Sequence, residues 1–135
     1  MPILRMDHFT ILATDAEDTA AFYRDLLGLE PGPRPAFAFP GAWLYNQGKA
    51  VLHVIERSAI PEGCGVLDHV AFWGEDLPFV LARLEARGLP YDLRRLPEGG
   101  HAAGVWQLFF HDPNGACIEI DFAATETKDG GNGIR

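Results

Sequence analysis

The sequence predicts an α+β fold that consists of two tandem βαβββ modules. Residues 7–11 read DHFTI and residues 68–72 read DHVAF, so that His69 follows His8 by 61 residues (69 − 8). Asp15 and Asp76 keep the same offset (76 − 15), and each opens a segment with helical spacing. A fold built twice in this way can bring two equivalent imidazoles together across a pseudo-two-fold axis, where a metal could bind.

In the first module, a strand, a helix and a hairpin follow one another. Residues 6–13 alternate as a strand does, which puts His8 on the same face as every second residue after it. Asp15 can N-cap the next helix, and Gly28 supplies its left-handed end. The Pro- and Gly-rich residues 30–41 are predicted to form a loop or an irregular edge strand. The hairpin has strands at residues 42–45 and 50–56.

The second module repeats this plan. A strand at residues 67–73 leads to a helix that Asp76 caps and Gly88 ends. The segment DPNG at residues 112–115 is a strong turn signal before the closing strand. The other predicted strands cover residues 91–96, 105–110 and 116–122.

Length and composition indicate one domain. The chain has 135 residues, of which 47% are hydrophobic and 22% charged, and this is enough for a single core. We assign residues 1–124 to that domain. Module one covers residues 4–57, the linker residues 58–65 and module two residues 66–122. The polar residues 125–135 are predicted to be a disordered tail.

Charge and hydropathy exclude several classes of partner. The formal net charge is −8 and the Lys and Arg residues are scattered, which argues against binding to nucleic acid or to an anionic membrane. The sequence contains no apolar run of membrane-spanning length and no signal-peptide pattern. Cys64 and Cys117 are too few for a disulfide framework, so we expect a cytoplasmic protein.

Four motifs cover nearly the whole chain. They are DHFTI at residues 7–11, FYRDLLGL at 22–29, LDHVAF at 67–72 and F-x-D-P-x-G-x-x-x-E at 110–119. With these motifs the chain resembles the vicinal oxygen chelate superfamily, which includes glyoxalase I, bleomycin-resistance proteins, fosfomycin-resistance enzymes and type I extradiol dioxygenases. The resemblance implies that the paired modules form a curved mixed sheet around one divalent metal. It also implies a homodimer.

The resemblance further implies that His8, His69 and Glu119 bind the metal. Two imidazoles and one carboxylate suit Fe(II), which we favour, and also Mn(II) or Zn(II), and they leave positions open for a chelating substrate. Glu119 lies between two isoleucines, so that strand alternation points it away from these apolar neighbours. The alternative is that both histidines are core residues and Glu119 is an exposed strand residue. Motif and context together favour the metal site.

His53 discriminates among the activities of this superfamily. It occupies the position symmetric to Glu119, on the last strand of the first module. Glyoxalase I resembles this layout but carries a carboxylate or an amide there, whereas extradiol dioxygenases place a histidine near this point as an acid–base group. Histidine suits proton transfer because its pKa lies near the operating pH. The alternatives are a fourth metal ligand and a structural role.

His101 is the second predicted catalytic residue. The extradiol signature begins with a glycine and a histidine and ends with the ligand glutamate. The segment that begins at residues 99–101 and ends at Glu119 matches this signature at every element except one. Phe109 occupies the tyrosine position, so the hydroxyl that would donate to the substrate is missing or comes from another group such as Tyr45. For His101, the alternative is an exposed loop histidine.

These residues predict an Fe(II)-dependent extradiol-type ring-cleavage dioxygenase that acts on a small aromatic vicinal diol. One alternative is a glyoxalase I-like isomerase or lyase that acts through a metal-bound enediolate. The other is a bleomycin-resistance-like binding protein. Fold analogy alone does not choose among the three.

Overall fold

Each half of the chain folds into a four-stranded mixed sheet with one helix, as seen in a computed structural model that describes residues 5–62, 67, 69–97 and 103–129. The two compact units comprise residues 1–63 and 64–135. The predicted α+β fold with paired βαβββ modules is therefore confirmed.

The first unit contains β1 (Phe9–Ala13), α1 (Ala16–Leu27), β2 (Glu30–Gly32), β3 (Gly41–Asn46) and β4 (Lys49–Glu56). The sheet order is β1-β4-β3-β2, with β1 parallel to β4 and the other pairs antiparallel. The Asp15 carboxylate accepts from the Asp18 backbone N–H at 3.0 Å, and Gly28 ends α1 at a φ of 72°, as predicted. Gln47 and Gly48 both have positive φ, which fits the two-residue turn that joins β3 and β4.

The second unit contains β5 (Val70–Trp73), α2 (Leu77–Ala86), β6 (Asp92–Arg95), β7 (Trp106–His111) and β8 (Cys117–Phe122). Its order, β5-β8-β7-β6, repeats the topology of the first unit, again with the first strand parallel to the last. Asp76 caps α2, as predicted.

The strand register assigns the side chains to two faces of each sheet. Thr10 pairs with His53 in the first unit, and Ala71 pairs with Glu119 in the second. Thr10 and Ala71 are separated by the 61 residues of the sequence repeat, so that His53 and Glu119 are structurally equivalent positions. The residues on either side of His53 and Glu119 face the hydrophobic core, because Leu52, Val54, Ile118 and Ile120 are all buried.

Glu126 makes long-range hydrogen bonds, although it lies in the segment 125–135 that was predicted to be a disordered tail. The backbone N–H groups of Asp76 and Leu77 donate to the Glu126 carboxylate at 3.0 and 2.7 Å, and the Trp106 indole donates to the Glu126 carbonyl at 2.8 Å. In the first unit, the Ala16 N–H donates to the Glu56 carboxylate at 2.9 Å. A long-range carboxylate thus lies at the N-terminus of each helix, where the exposed N–H groups favour negative charge. No helix in the described part of the chain is long and apolar enough to cross a membrane.

Candidate functional site

Two predicted metal ligands of the second unit are in direct contact. His69 lies just before β5, and Glu119 lies in the middle of β8, the strand that runs parallel to β5. The His69 Nε2 atom is 3.0 Å from the Glu119 Oε1 atom. The His69 side chain is 36% exposed and that of Glu119 only 7%, so the pair joins a buried carboxylate to an imidazole that solvent or a ligand can reach.

Glu119 has two further polar neighbours, which the sequence analysis did not identify. Gln107 donates from Nε2 to Glu119 Oε2 at 3.3 Å. Asp121, two residues along β8 and therefore on the same face, is hydrogen-bonded to Glu119. Burial, followed by this hydrogen bond, raises the pKa of Asp121 to about 7. Asp121 Oδ1 is buried and has no hydrogen-bond partner among the described residues. The alternation that pointed to Glu119 could also have pointed to Asp121.

Phe109 takes the position opposite Glu119 in the pairing of β7 with β8. The edge of its ring faces the His69 imidazole, with the ring centroids 6.0 Å apart and an interplanar angle of 80°. The Arg94 guanidinium lies 4.7 Å from the Phe109 centroid. The tyrosine position of the extradiol signature is thus adjacent to a predicted metal ligand, but it presents an apolar ring.

In the first unit, His53 lies between two other rings. The His8 and His53 imidazoles are stacked at 3.8 Å with an interplanar angle of 14°, and the Trp43 indole is stacked on His53 at 4.0 Å and 9°. The register explains this arrangement, because Trp43 pairs with His53 across β3 and β4, while Thr10, two residues after His8, pairs with His53 across β1. Each unit therefore brings the histidine before its first strand to the equivalent position of its last strand.

Hydrogen bonds define the protonation of both imidazoles in the first unit. His53 Nε2 lies 3.2 Å from the Ala50 carbonyl oxygen. Because a carbonyl can only accept, Nε2 carries the proton, and Nδ1 of the neutral ring has the lone pair. Burial and the neighbouring His8 lower the pKa of His53 below its ordinary 6.5. His8 Nδ1 is 2.7 Å from Asp7 Oδ2, which leaves Nε2 as the ring nitrogen for a ligand.

Tyr45, the candidate replacement for the missing tyrosine hydroxyl, is not part of these clusters. The Tyr45 hydroxyl donates to the Pro33 carbonyl, so it serves the loop between β2 and β3. Tyr45 is therefore not a ready replacement for the missing tyrosine hydroxyl. His101 lies outside the described residues.

The residues present fit a divalent ion in donor chemistry. Glu119 and His69 already place an oxygen and a nitrogen 3.0 Å apart, and the Asp7 contact orients His8 as carboxylates orient metal-binding imidazoles. Within residues 5–62, 67, 69–97 and 103–129, no three His, Cys, Asp or Glu side chains form a ready-made metal cluster. Which residues bind the metal therefore stays a prediction.

Comparison with known proteins identifies the family. Residues 5–120 match the family model described as the Glyoxalase/Bleomycin resistance protein/Dioxygenase superfamily. The chain belongs to this superfamily, as the sequence motifs predicted, and members of it typically use a divalent metal.

Three relatives illustrate the range of the family. Glyoxylase I 4 from Arabidopsis thaliana is 34% identical over an alignment of 122 residues, and the match covers 85% of this chain and 68% of that protein. The solved structure of the oxidase ChaP-H2 is 27% identical, with a TM-score of 0.66, and the match covers 97% of this chain and 100% of that one. A glyoxylase/bleomycin resistance protein/dioxygenase domain from Frankia sp. EAN1pec has a TM-score of 0.72 at 18% identity, covers 90% and 93% of the two chains, and shows the shared fold.

Proposed function

We propose that this protein is a metal-dependent, extradiol-type oxygenase that acts on a small aromatic substrate with two neighbouring oxygens. The observation that carries the proposal is the residue at the position equivalent to Glu119. That residue is His53, which stands opposite Thr10 as Glu119 stands opposite Ala71. An extradiol-like site has a histidine near this point, whereas a glyoxalase I-like site has a carboxylate or an amide.

His53 is suited to accept a proton from a substrate hydroxyl. Its Nδ1 lone pair is available because Nε2 donates to Ala50, and its lowered pKa keeps the ring neutral near pH 7. Stacking between His8 and Trp43 fixes the plane of the ring. A base held in one orientation needs little rearrangement to reach the proton that it removes.

The proposed metal ligands are His8, His69 and Glu119, and the proposed metal is Fe(II). A divalent ion bound by them supplies Lewis acidity toward the two substrate oxygens. The chain prepares two of these ligands by hydrogen bonds, from Gln107 to Glu119 and between Asp7 and His8. The likeness to an oxidase, ChaP-H2, supports chemistry that uses oxygen.

A glyoxalase I-like lyase or isomerase is the second candidate. The 34% identity with Glyoxylase I 4 favours it. In this alternative His53 would be a metal ligand, and the reaction would proceed without O2.

Oxygen uptake and His53→Gln test the proposal together. Protein purified without oxygen is loaded with Fe(II) and assayed for O2 uptake with a panel of catechols, and for isomerisation of the methylglyoxal–glutathione hemithioacetal. We expect His53→Gln to keep the bound metal and to lower turnover by roughly 10²- to 10⁴-fold, because it removes a proton carrier. His111→Gln, at an exposed position of β7, is the matched control and should change neither quantity.

The other outcomes separate the candidates. Loss of metal together with activity in His53→Gln would favour the lyase. If no catechol supports O2 uptake by the Fe(II)-loaded wild type, the oxygenase proposal is rejected. Saturable ligand binding without either reaction would point to a binding protein.

A further inference from the structure

A cavity of about 260 Å³ opens beside the stacked rings of the first unit. It is lined by Arg5, Asp7, Trp43, Lys49, Ala50 and His53. The lining combines aromatic surface with two cationic side chains, although the formal net charge of the chain is −8. Positive charge therefore collects at this cavity against the overall charge of the protein.

The charges at the cavity do not cancel. Asp7 is the only carboxylate among the described residues of the lining, and it is shared between Arg5, at 3.7 Å from its Oδ1, and His8, at 2.7 Å from its Oδ2. Among the described residues, Lys49 has no ion-pair partner. The Arg5 guanidinium has five N–H groups and keeps donors beyond its Asp7 contact. One positive charge is thus left without a counter-charge, and a single negative group on a ligand would neutralise it.

The cavity has the volume for one aromatic ring. Trp43 is stacked on His53 with the two ring planes nearly parallel, at an interplanar angle of 9°, and the Trp43 indole provides aromatic lining next to the cations. A cavity of roughly 150 Å³ accommodates benzene, and drug-sized ligands occupy roughly 300 to 1,000 Å³. The present volume, about 260 Å³, therefore accommodates a single ring with polar substituents.

We propose that this cavity binds the carboxylate of a single-ring aromatic acid, with Lys49 and Arg5 as its charged donors and Trp43 as its aromatic wall. The inference rests on the proposed function, because His53, the proposed proton carrier, belongs to the same lining. It narrows the substrate class to aromatic carboxylates with neighbouring ring oxygens, such as dihydroxybenzoates. Neutral catechols would lack the group that these cations recognise.

Binding of benzoate and benzamide tests the inference without turnover. The two probes have nearly the same shape and differ in charge, and neither has the vicinal oxygens that the oxygenase proposal requires. In calorimetric titrations of the metal-loaded, full-length protein without oxygen, we expect benzoate to bind about tenfold tighter than benzamide. Lys49→Gln should remove most of this difference and leave the benzamide affinity unchanged. Arg5→Gln should have a smaller effect because Asp7 already shares that charge.

Two further variants make the test specific. Lys49→Arg keeps the charge and should retain most of the benzoate affinity. Lys128→Gln removes the other lysine of the chain and should have no effect, so a loss limited to Lys49→Gln cannot be a general charge effect. Equal affinity for the two probes, no measurable benzoate binding, or benzoate binding that Lys49→Gln does not weaken would each overturn the inference. A protein that prefers benzoate but consumes no O2 with any catechol or dihydroxybenzoate would disprove the oxygenase and leave the carboxylate site standing.

Discussion

Single residues at equivalent positions give the two units different chemistry. His53 and Glu119 each stand at the same point of a last strand, and each contacts the histidine that precedes the first strand of its unit. A buried carboxylate can hold a cation, whereas a neutral imidazole offers a lone pair for proton transfer. The duplicated backbone defines the position of the residue, and the side chain determines whether that position can bind a cation or transfer a proton.

Asp121 is expected to make the metal-free protein less stable as the pH rises. Its pKa is about 7 in the folded protein and roughly 3.9 in an unfolded chain, so the folded state binds more protons between these values. Stability therefore falls as the pH rises from about 4 to 7. Asp121→Asn should remove this loss. Because solvent reaches part of the side chain, we expect a gain of only ~1–2 kcal/mol at pH 8 and little change below pH 4.

Urea unfolding of the metal-free protein at pH 4 and pH 8 measures this effect. Asp25→Asn, on the surface of α1, is the matched control and should show no comparable pH-dependent gain. An Asp121→Asn protein that is destabilised equally at both pH values would show that the carboxyl is not protonated in the native state.

Phe109 is expected to limit activity toward catechols. A tyrosine hydroxyl at this position, opposite Glu119 and next to His69, could donate to an oxygen that gains charge during the reaction. Such a donor in a dry site contributes roughly one to a few kcal/mol, so Phe109→Tyr should raise kcat/KM for O2 uptake about tenfold or more. Phe109→Leu, which adds no hydroxyl, is the control. Equal rates in wild type and Phe109→Tyr would mean that another group, with His101 the remaining candidate, already supplies the hydrogen bond.

At the level of elements, both helices depend on carboxylates distant in sequence. Glu126 accepts from two N–H groups at the start of α2, and Glu56 accepts from one at the start of α1. The local caps, Asp15 and Asp76, satisfy only one further donor each. The distant carboxylates therefore complete the helix N-termini and tie them to other parts of their units.

Glu126→Ala should destabilise the protein by about 1–2 kcal/mol, because it leaves two helix N–H groups without an acceptor and removes a negative charge from the positive end of α2. Thermal unfolding measures the loss. Glu62→Ala, at an exposed position outside both sheets, should cost much less. Equal melting temperatures for Glu126→Ala and wild type would mean that the residues after β8 do not support the second unit.

The sequence predicted those elements whose signals are local. Asp15 and Gly28 define α1 within a dozen residues, and the strand patterns at residues 42–45 and 50–56 predicted the β3–β4 hairpin, whose observed turn of two residues is shorter than the predicted gap. The contacts of Glu126 with the start of α2 could not be predicted. They join residues that are separated by 49 and 50 positions, and a tail rich in polar residues gives no sign of its partner. The Tyr45 contact with Pro33 was missed for a similar reason, because the intervening loop has no periodic pattern.

At the level of the whole molecule, duplication made the candidate site predictable. The repeated histidine motifs identified His8 and His69, and the family resemblance identified Glu119. The equivalence of the two last strands then identified His53, and the register confirms that His53 and Glu119 are equivalent positions. Asp121 was missed because no repeat marks it: the equivalent residue of the first unit is Ile55. A repeat reveals what the two units share, so a residue unique to one unit needs a second signal, which for Asp121 is the alternation along β8.

The proposed ligands come from both units, which leads to a prediction about metal-linked stability. A ligand that binds only the folded state stabilises it, by about 2.7 kcal/mol at a concentration 100 times its Kd. Fe(II) or Mn(II) added without oxygen should therefore raise the melting temperature of the wild type. His8→Ala in the first unit and Glu119→Ala in the second should each abolish both the rise and the stoichiometric metal measured by elemental analysis, whereas His111→Ala should preserve them. If Glu119→Ala keeps full metal occupancy, Glu119 is not a ligand. If only His8→Ala keeps it, the metal is bound by the second unit alone.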